Sequence, residues 1–317
     1  MEFAYGRLNN KQVDRSVFKM ILFHLPECEW KNFKWNEKCN DVIRELCIIN
    51  DVKTLVKERR IESIKNLPVI DCGLCFEEAC AAGCKEIVVH MIKKETIRNV
   101  NLDKGFQKAC AGGFLDIVEY LVCSRVCDLD VGLAKACMGG FYDIVKFLLE
   151  EGVDDTDKGF WQACRAGHLD LIQMILDEGA ADVDVGLEAA CFSGRMPIID
   201  FMIEQGADNW NNAMRGAVRG NRMEIVKFIA DKGFKLWDDV LGIACEFCNI
   251  DIVTYILEKG ATNFSCALKN ACFRGNQKVI NLLIEYGSED WNYGLAGACQ
   301  SGNQQIAKDM IFRGAND

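Results

Sequence analysis

The dipeptide Ala-Cys returns along this chain at a fixed interval, and that interval limits what the chain can fold into more than any other feature. Ala109-Cys110, Ala136-Cys137, Ala163-Cys164, Ala190-Cys191, Ala271-Cys272 and Ala298-Cys299 each carry Gly four residues after the Ala. Ala217-Val218 and Ala244-Cys245 fill the two gaps, with Asn221 and Cys248 in place of Gly. From Ala109 to Ala298 every step is 27 residues, and a further copy, Ala79-Cys80, lies 30 residues upstream. Nine copies, eight of them at one period, predict a solenoid, in which each unit buries its apolar face only against its neighbours. The core then grows linearly, which removes the expectation of two globular domains that 317 residues would otherwise raise.

Within a copy the spacing predicts two short helices. In the fifth, Leu187, Ala190 and Cys191 lie on one helical face, and Gly194 ends that helix. A second helix carries Ile198, Ile199, Met202 and Ile203 and stops at Gly206. Asp103, Asp130, Asp157, Asp184, Asn211, Asp238, Ser265 and Asn292 recur at the head of the first helix, where their side chains are expected to serve as N-caps. The fold class predicted is all-α.

The run Ala163-Cys164-Arg165-Ala166-Gly167-His168-Leu169-Asp170-Leu171-Ile172, through Leu176, Gly179 and Ala180, resembles an ankyrin repeat. The resemblance covers roughly residues 70–317 and departs from the family in two ways. The Thr-Pro-Leu-His opening is missing, although its Leu position survives as Leu133, Phe160 and Leu187. The period is also shorter than the ~33 residues usual in the family. The lost residues fall in the connection between repeats, which in the family is a protruding β-hairpin. The expectation is therefore an ankyrin-like α-solenoid whose hairpin fingers are reduced or absent. Short, cysteine-rich arrays of this kind are most similar to those of large DNA viruses, which would imply a host-interaction factor in the host cytoplasm.

Residues 71–317 form the expected repeat array. Residues 46–70, with Leu46-Cys47, Asp51-Val52 and Leu55-Val56, read as a shortened first copy. Residues 1–45 hold Phe18, Phe23, Trp30, Phe33 and Trp35 and are expected to form a helical capping segment. Phe18 to Trp35, with Leu25-Pro26-x-Cys28, resembles an F-box, which would make the array the substrate-recognition part of a ubiquitin-ligase adaptor. At the other end Gln304, Gln305, Ala307 and Asp309 give the last helix the polar face expected of a terminal cap.

Charge narrows the function. Lys and Arg total 37 against 47 Asp and Glu, a net charge of −10, which disfavours nucleic acid and anionic membranes as partners. No signal peptide is read at the N-terminus, and no run approaches the ~20 apolar residues of a membrane span. The 18 cysteines fit a reducing cytoplasm, where a buried thiol packs as a small hydrophobe. Neighbouring copies stand ~10 Å apart, beyond the ~7 Å between Cα atoms that a disulfide allows. Cys72, Cys75, Cys80, Cys84 and His90 form the cluster nearest to a zinc site in spacing, but Cys80 belongs to the packing row and Cys75 to the first-helix period. Cys123 and Cys127 are a weaker pair. His168 follows Gly where the family commonly has His, a structural position, and His24 and His90 complete the histidines. With no phosphate loop, Gly-x-Ser-x-Gly or His-Glu-x-x-His, no catalytic, cofactor or metal residue is assigned.

What varies between copies is the ridge beside each Ala-Cys. In the family this ridge lines the concave face and carries partner contacts. Early copies offer Ala81, Ala82, Ala111 and Gly112. The fourth to eighth copies offer Trp161, Arg165, Phe192, Arg215, Arg219, Glu246, Phe247, Lys269, Phe273 and Arg274. Large aromatics and Arg dominate interface energetics. The candidate partner-binding residues are therefore Trp161, Arg165, Phe192, Arg215, Arg219, Phe247, Lys269, Phe273 and Arg274, for a protein or peptide with acidic and apolar side chains. The alternative is that the aromatics fill grooves between repeats and the arginines pair with the aspartate row. A second aromatic row, Trp210, Trp237, Phe264 and Trp291, is expected to pack beneath the loop before each later first helix.

Overall fold

Each copy folds as a pair of short helices because its apolar residues recur at helical spacing and a left-handed residue breaks the chain between the two runs. The computed structural model describes residues 56, 69–93, 101–123, 127–179 and 181–316. The capping segment expected at 1–45, its F-box-like stretch and nearly all of the shortened copy at 46–70 lie outside these residues. Eighteen helices are described, and no strand among the described residues. The hairpin fingers are thus absent from the described connections. The chain divides into two compact units, residues 1–127 and 128–317.

The first unit contains α1 (Val69–Ala81), α2 (Lys85–Lys93), α3 (Leu102–Gly112) and α4 (Leu115–Val122). First helices pack on first helices: the ring of Phe76 in α1 occupies the space a Cβ on Gly105 of α3 would need. Val56 is buried, and its carbonyl accepts from the Cys84 thiol at 3.6 Å.

In the second unit seven helical pairs follow one another. The first helices are α5 (Leu129–Gly139), α7 (Asp157–Ala166), α9 (Val183–Ser193), α11 (Trp210–Arg219), α13 (Trp237–Phe247), α15 (Phe264–Arg274) and α17 (Trp291–Ser301). Their second helices are α6 (Tyr142–Glu150), α8 (Leu169–Asp177), α10 (Met196–Glu204), α12 (Met223–Asp231), α14 (Ile250–Glu258), α16 (Gln277–Glu285) and α18 (Gln304–Phe312). Ala136, Ala163, Ala190, Ala217, Ala244, Ala271 and Ala298 are all inaccessible to solvent. So are Cys137, Cys164, Cys191, Val218, Cys245 and Cys272. Two-residue runs such as Ile198-Ile199 and Ile252-Val253 close the seam from the second helices, each such side chain stabilising the fold by about 1.5–3 kcal/mol through burial. Cys299 breaks the row: it lies on the last of the described first helices and is exposed.

Neighbouring first helices touch along much of their length, whereas neighbouring second helices touch sparsely. The second unit therefore curves with its first helices on the inner side. Some approaches need glycine. A Cβ on Gly220 would overlap the Phe192 carbonyl of the preceding copy, and one on Gly297 the Lys269 carbonyl.

The aspartate row corrects the sequence reading. These residues do not cap their own helices. The N-caps stand earlier: Asn101, Asp128, Asp182 and Asn209 accept from Lys104, Val131, Asp184 and Asn212 backbone N–H groups at 2.9–3.1 Å. The expected caps lie in the first helical turn and reach across to the loop that enters the next copy. Asp130 Oδ1 accepts from the Asp154 and Asp155 N–H groups, Asp157 from Asp182, Asp184 from Asp208 and Asn209, and Asp238 from Thr262 and Asn263. Asn292 does the same for Asn316, and Ser265 instead donates to the Asp290 carboxylate. This tie holds the shortened connection where a β-hairpin would otherwise stand.

The polar cap expected on the last helix is incomplete. Gln304 and Gln305 are exposed, but so are Ile311 (56%) and Phe312 (91%).

Candidate functional site

The ridge beside the Ala-Cys seam is built by successive first helices, whose inner residues are fixed by burial and whose outer residues are free to vary. On α7 and α9, Trp161 and Phe192 are half-buried and pack ring to ring at 5.6 Å, tilted by 47°. The Arg165 guanidinium lies 5.5 Å from the Trp161 ring centroid. These three predicted residues form one cluster across two copies.

Two predicted arginines are committed to the scaffold. Arg219 on α11 reaches back to Glu188 on α9 at 3.2 Å, and Arg274 on α15 reaches back to Glu246 on α13 at 3.1 Å. Lys108 in the first unit repeats the arrangement, 3.1 Å from Glu77 and 3.3 Å from Glu78. Burial works against its charge, but the hydrogen bond and charge of the two glutamates prevail and hold its pKa above the ordinary lysine value. The partners are therefore glutamates of the preceding first helix and not the aspartate row. Phe247 (46% exposed) and Phe273 (37%) stand open to solvent, and the Arg274 guanidinium lies over the Phe273 ring. Arg215 and Lys269 occupy the same ridge, and among the described residues neither forms an ion pair.

Sequence reasoning missed Glu188 as a partner and missed Arg195 and Arg222 altogether. Arg195 Nε donates to the Arg165 carbonyl at 2.8 Å, and Arg222 Nε to the Phe192 carbonyl at 3.2 Å. Each follows a left-handed residue, Gly194 or Asn221, and covers the glycine of the copy before; His168, after Gly167, covers Gly140 in the same way. The signal was present in the sequence, since all three share one repeat position.

The second aromatic row opens the helices instead of lying in the loops. Trp237 is the first residue of α13 and meets Phe234 and Tyr255 edge-on at 5.0 and 6.0 Å. Trp291 opens α17 beneath the Arg313 guanidinium.

The buried thiol row does not suit covalent chemistry. Burial pushes the row of thiols up, Cys137, Cys191 and Cys272 to about 12, whereas a nucleophilic or metal-binding cysteine needs a lowered pKa. Among the described residues no three His, Cys, Asp or Glu groups converge as metal ligands, and no helix is long and apolar enough to cross a membrane. On the opposite side a cleft of about 580 Å³ separates α6 from α8; Tyr142, Leu149 and Met174 line it between acidic residues.

Residues 106–186, from the second to the fifth copy, match the family model of ankyrin repeats in three copies. No curated protein matches the chain. Among solved structures, the human ASB11 ankyrin repeat domain is similar at 22% identity and a TM-score of 0.40, the match covering 58% of this chain and 98% of that one.

Proposed function

We propose, from the match of residues 106–186 to ankyrin repeats, that the chain is a non-enzymatic ankyrin-repeat scaffold that binds a protein or peptide on the inner, first-helix face of the fourth to eighth copies. Ankyrin repeats in general mediate protein–protein interaction. The observation that carries the reading is where the large side chains stand. The Trp161–Phe192–Arg165 cluster, Phe247 and Phe273 lie on one ridge, partly open to solvent, while the same ridge in the earlier copies holds Ala81, Ala82, Ala111 and Gly112. Aromatics held by neighbours but not covered by them lose little entropy on binding, the usual property of an interface anchor. The partner carries apolar side chains for these rings and acidic ones for Arg165, Arg215 and Lys269. Arg219 and Arg274 act as supports, because each is already spent on a glutamate. A reducing cytoplasm suits the free thiol row, and a host-cell protein is the partner class implied by the likeness to viral arrays.

The test is capture from such a cell on the immobilised full chain, identification by mass spectrometry, and titration of the purified partner. Trp161→Ala and the double variant Phe247→Ala/Phe273→Ala should each weaken binding at least tenfold with the helical circular dichroism unchanged. Affinities within twofold of the parent for both variants would remove the first-helix face from the interface.

A further inference from the structure

The junction of the sixth and seventh copies differs from the others in the second unit. α11 and α13 pack less closely than any other adjacent first helices there. Asn211 stands at the position from which Asp130, Asp157, Asp184, Asp238 and Asn292 tie the following loop, but among the described residues it accepts from neither Lys235 nor Leu236. Leu236 precedes α13 with no side-chain cap. Phe234 fills a loop position that is Val153, Ala207, Ala261, Ser288 or Ala315 in the neighbouring connections, and its ring, 8% exposed, wedges against Trp237. A missing tie and an oversized wedge together hold the two helices apart.

A cleft of about 320 Å³ opens between them, with Asn211, Asn212 and Arg215 on one wall, Asp239 on the other and Phe234 at its end. That volume lies at the lower end of ligand pockets. Asn211 and Arg215 are one helical turn apart, so the change from aspartate removes a negative charge from the side of an arginine that no glutamate holds. The polar lining combines a guanidinium, the three amides of Asn209, Asn211 and Asn212, and one carboxylate. An amide backbone can both donate and accept, and so matches the asparagines and Asp239 together.

We infer that this cleft is the specificity subsite of the first-helix face and takes an extended peptide segment carrying one acidic side chain, its carboxylate on Arg215 and a main-chain N–H on Asp239. The inference rests on the scaffold reading above and adds the chemistry of the segment. Asp239 repels a second carboxylate at this point, so the acidic residue is flanked by neutral ones. A charge-assisted contact to arginine is among the stronger hydrogen bonds available to such a segment.

The experiment is a display selection of random 12-residue peptides on the full chain, followed by anisotropy titration of the most enriched synthetic peptide. The expected peptide carries a fixed Asp or Glu. Arg215→Glu should weaken it at least tenfold, and exchanging that acidic residue for Lys should restore binding to the Arg215→Glu chain. Asn211→Asp, which reinstates the tie and neutralises the arginine, should weaken the original peptide at least fivefold while raising the denaturation midpoint. Enrichment without a fixed acidic residue, or an Arg215→Glu affinity within twofold of the parent, overturns the subsite. If Trp161→Ala and Phe247→Ala still abolish binding in that case, the scaffold reading stands without it. If no ridge variant changes binding, or no peptide is enriched, both fall.

Discussion

Asp184 and Asn209, 25 residues apart and in successive copies, are joined by a hydrogen bond of 3.0 Å from the Asn209 N–H to Asp184 Oδ1, and the same oxygen accepts from Asp208. One carboxylate thereby fixes the entry of the next helical pair. Asp184→Ala should destabilise the second unit by about 1–2 kcal/mol, since bonds to a charged acceptor are worth more than neutral ones. Asp184→Asn keeps an acceptor and should cost less than half as much. Urea denaturation followed by circular dichroism measures both; equal losses for the two variants would mean that the charge is irrelevant.

Cys248 ends α13 in the left-handed region at φ 60°, where seven other copies use glycine. A side chain there costs about 1–2 kcal/mol. Cys248→Gly should therefore stabilise by roughly 0.5–1 kcal/mol after the added freedom of the unfolded chain is subtracted. Gly140→Ala should do the reverse and lose more, because its new methyl meets the His168 ring as well as a φ of 78°. Paired denaturation curves decide the signs.

The thiol row sets a limit in alkali. Burial raises the pKa of Cys80, Cys110, Cys137, Cys164, Cys191, Cys245 and Cys272 above the ordinary value of 9.0. Above pH 9 the unfolded chain releases these protons and the folded chain keeps them, so stability is complete below pH 9 and falls as pH rises toward the folded values. The slope is about 1.4 kcal/mol per pH unit for each thiol. Cys164→Ala should lower stability at pH 7 by leaving a small cavity, yet shrink the loss between pH 9 and 10.5. A pH-independent difference between parent and variant would count against the argument.

Register can be tested by excision. Removing residues 157–183, one period of 27, places Asp184 where Asp157 stood and keeps its tie to Asp208 and Asn209. The shortened chain should unfold cooperatively with a lower denaturant slope, in proportion to the surface lost. Removing residues 157–180 instead leaves three extra residues before the aspartate and should give a broad transition.

The rows of large residues show how far the sequence could be read. Ala163, Cys164 and their equivalents had to face inward, because apolar residues at helical spacing leave one face to bury, and the left-handed glycines had to end the first helices. Trp161, Phe192, Phe247 and Phe273 could be placed on the ridge beside the seam from the same register. Their neighbours could not. Arg219 and Arg274 sit in the ridge as Arg215 does, yet only contact with Glu188 and Glu246 of the preceding helix makes them supports.

The aspartates mark the boundary most clearly. A side chain that can cap its own helix can equally accept from any nearby N–H, and composition does not choose between them. Asn209 and Asp182, two residues ahead of Asn211 and Asp184, form a second row of the same type that in fact does the capping.

What the sequence determined by itself was the period, the helical pairs, the buried Ala-Cys seam and the ridge left free to vary, because burial and helix termination are fixed by residues within one copy. Only the tertiary structure decided which carboxylate ties which loop, which arginines are spent and that the sixth and seventh copies stand apart. Those outcomes depend on where one copy's backbone lies against the next, a distance set by packing such as the Phe234 wedge and not by spacing along the chain.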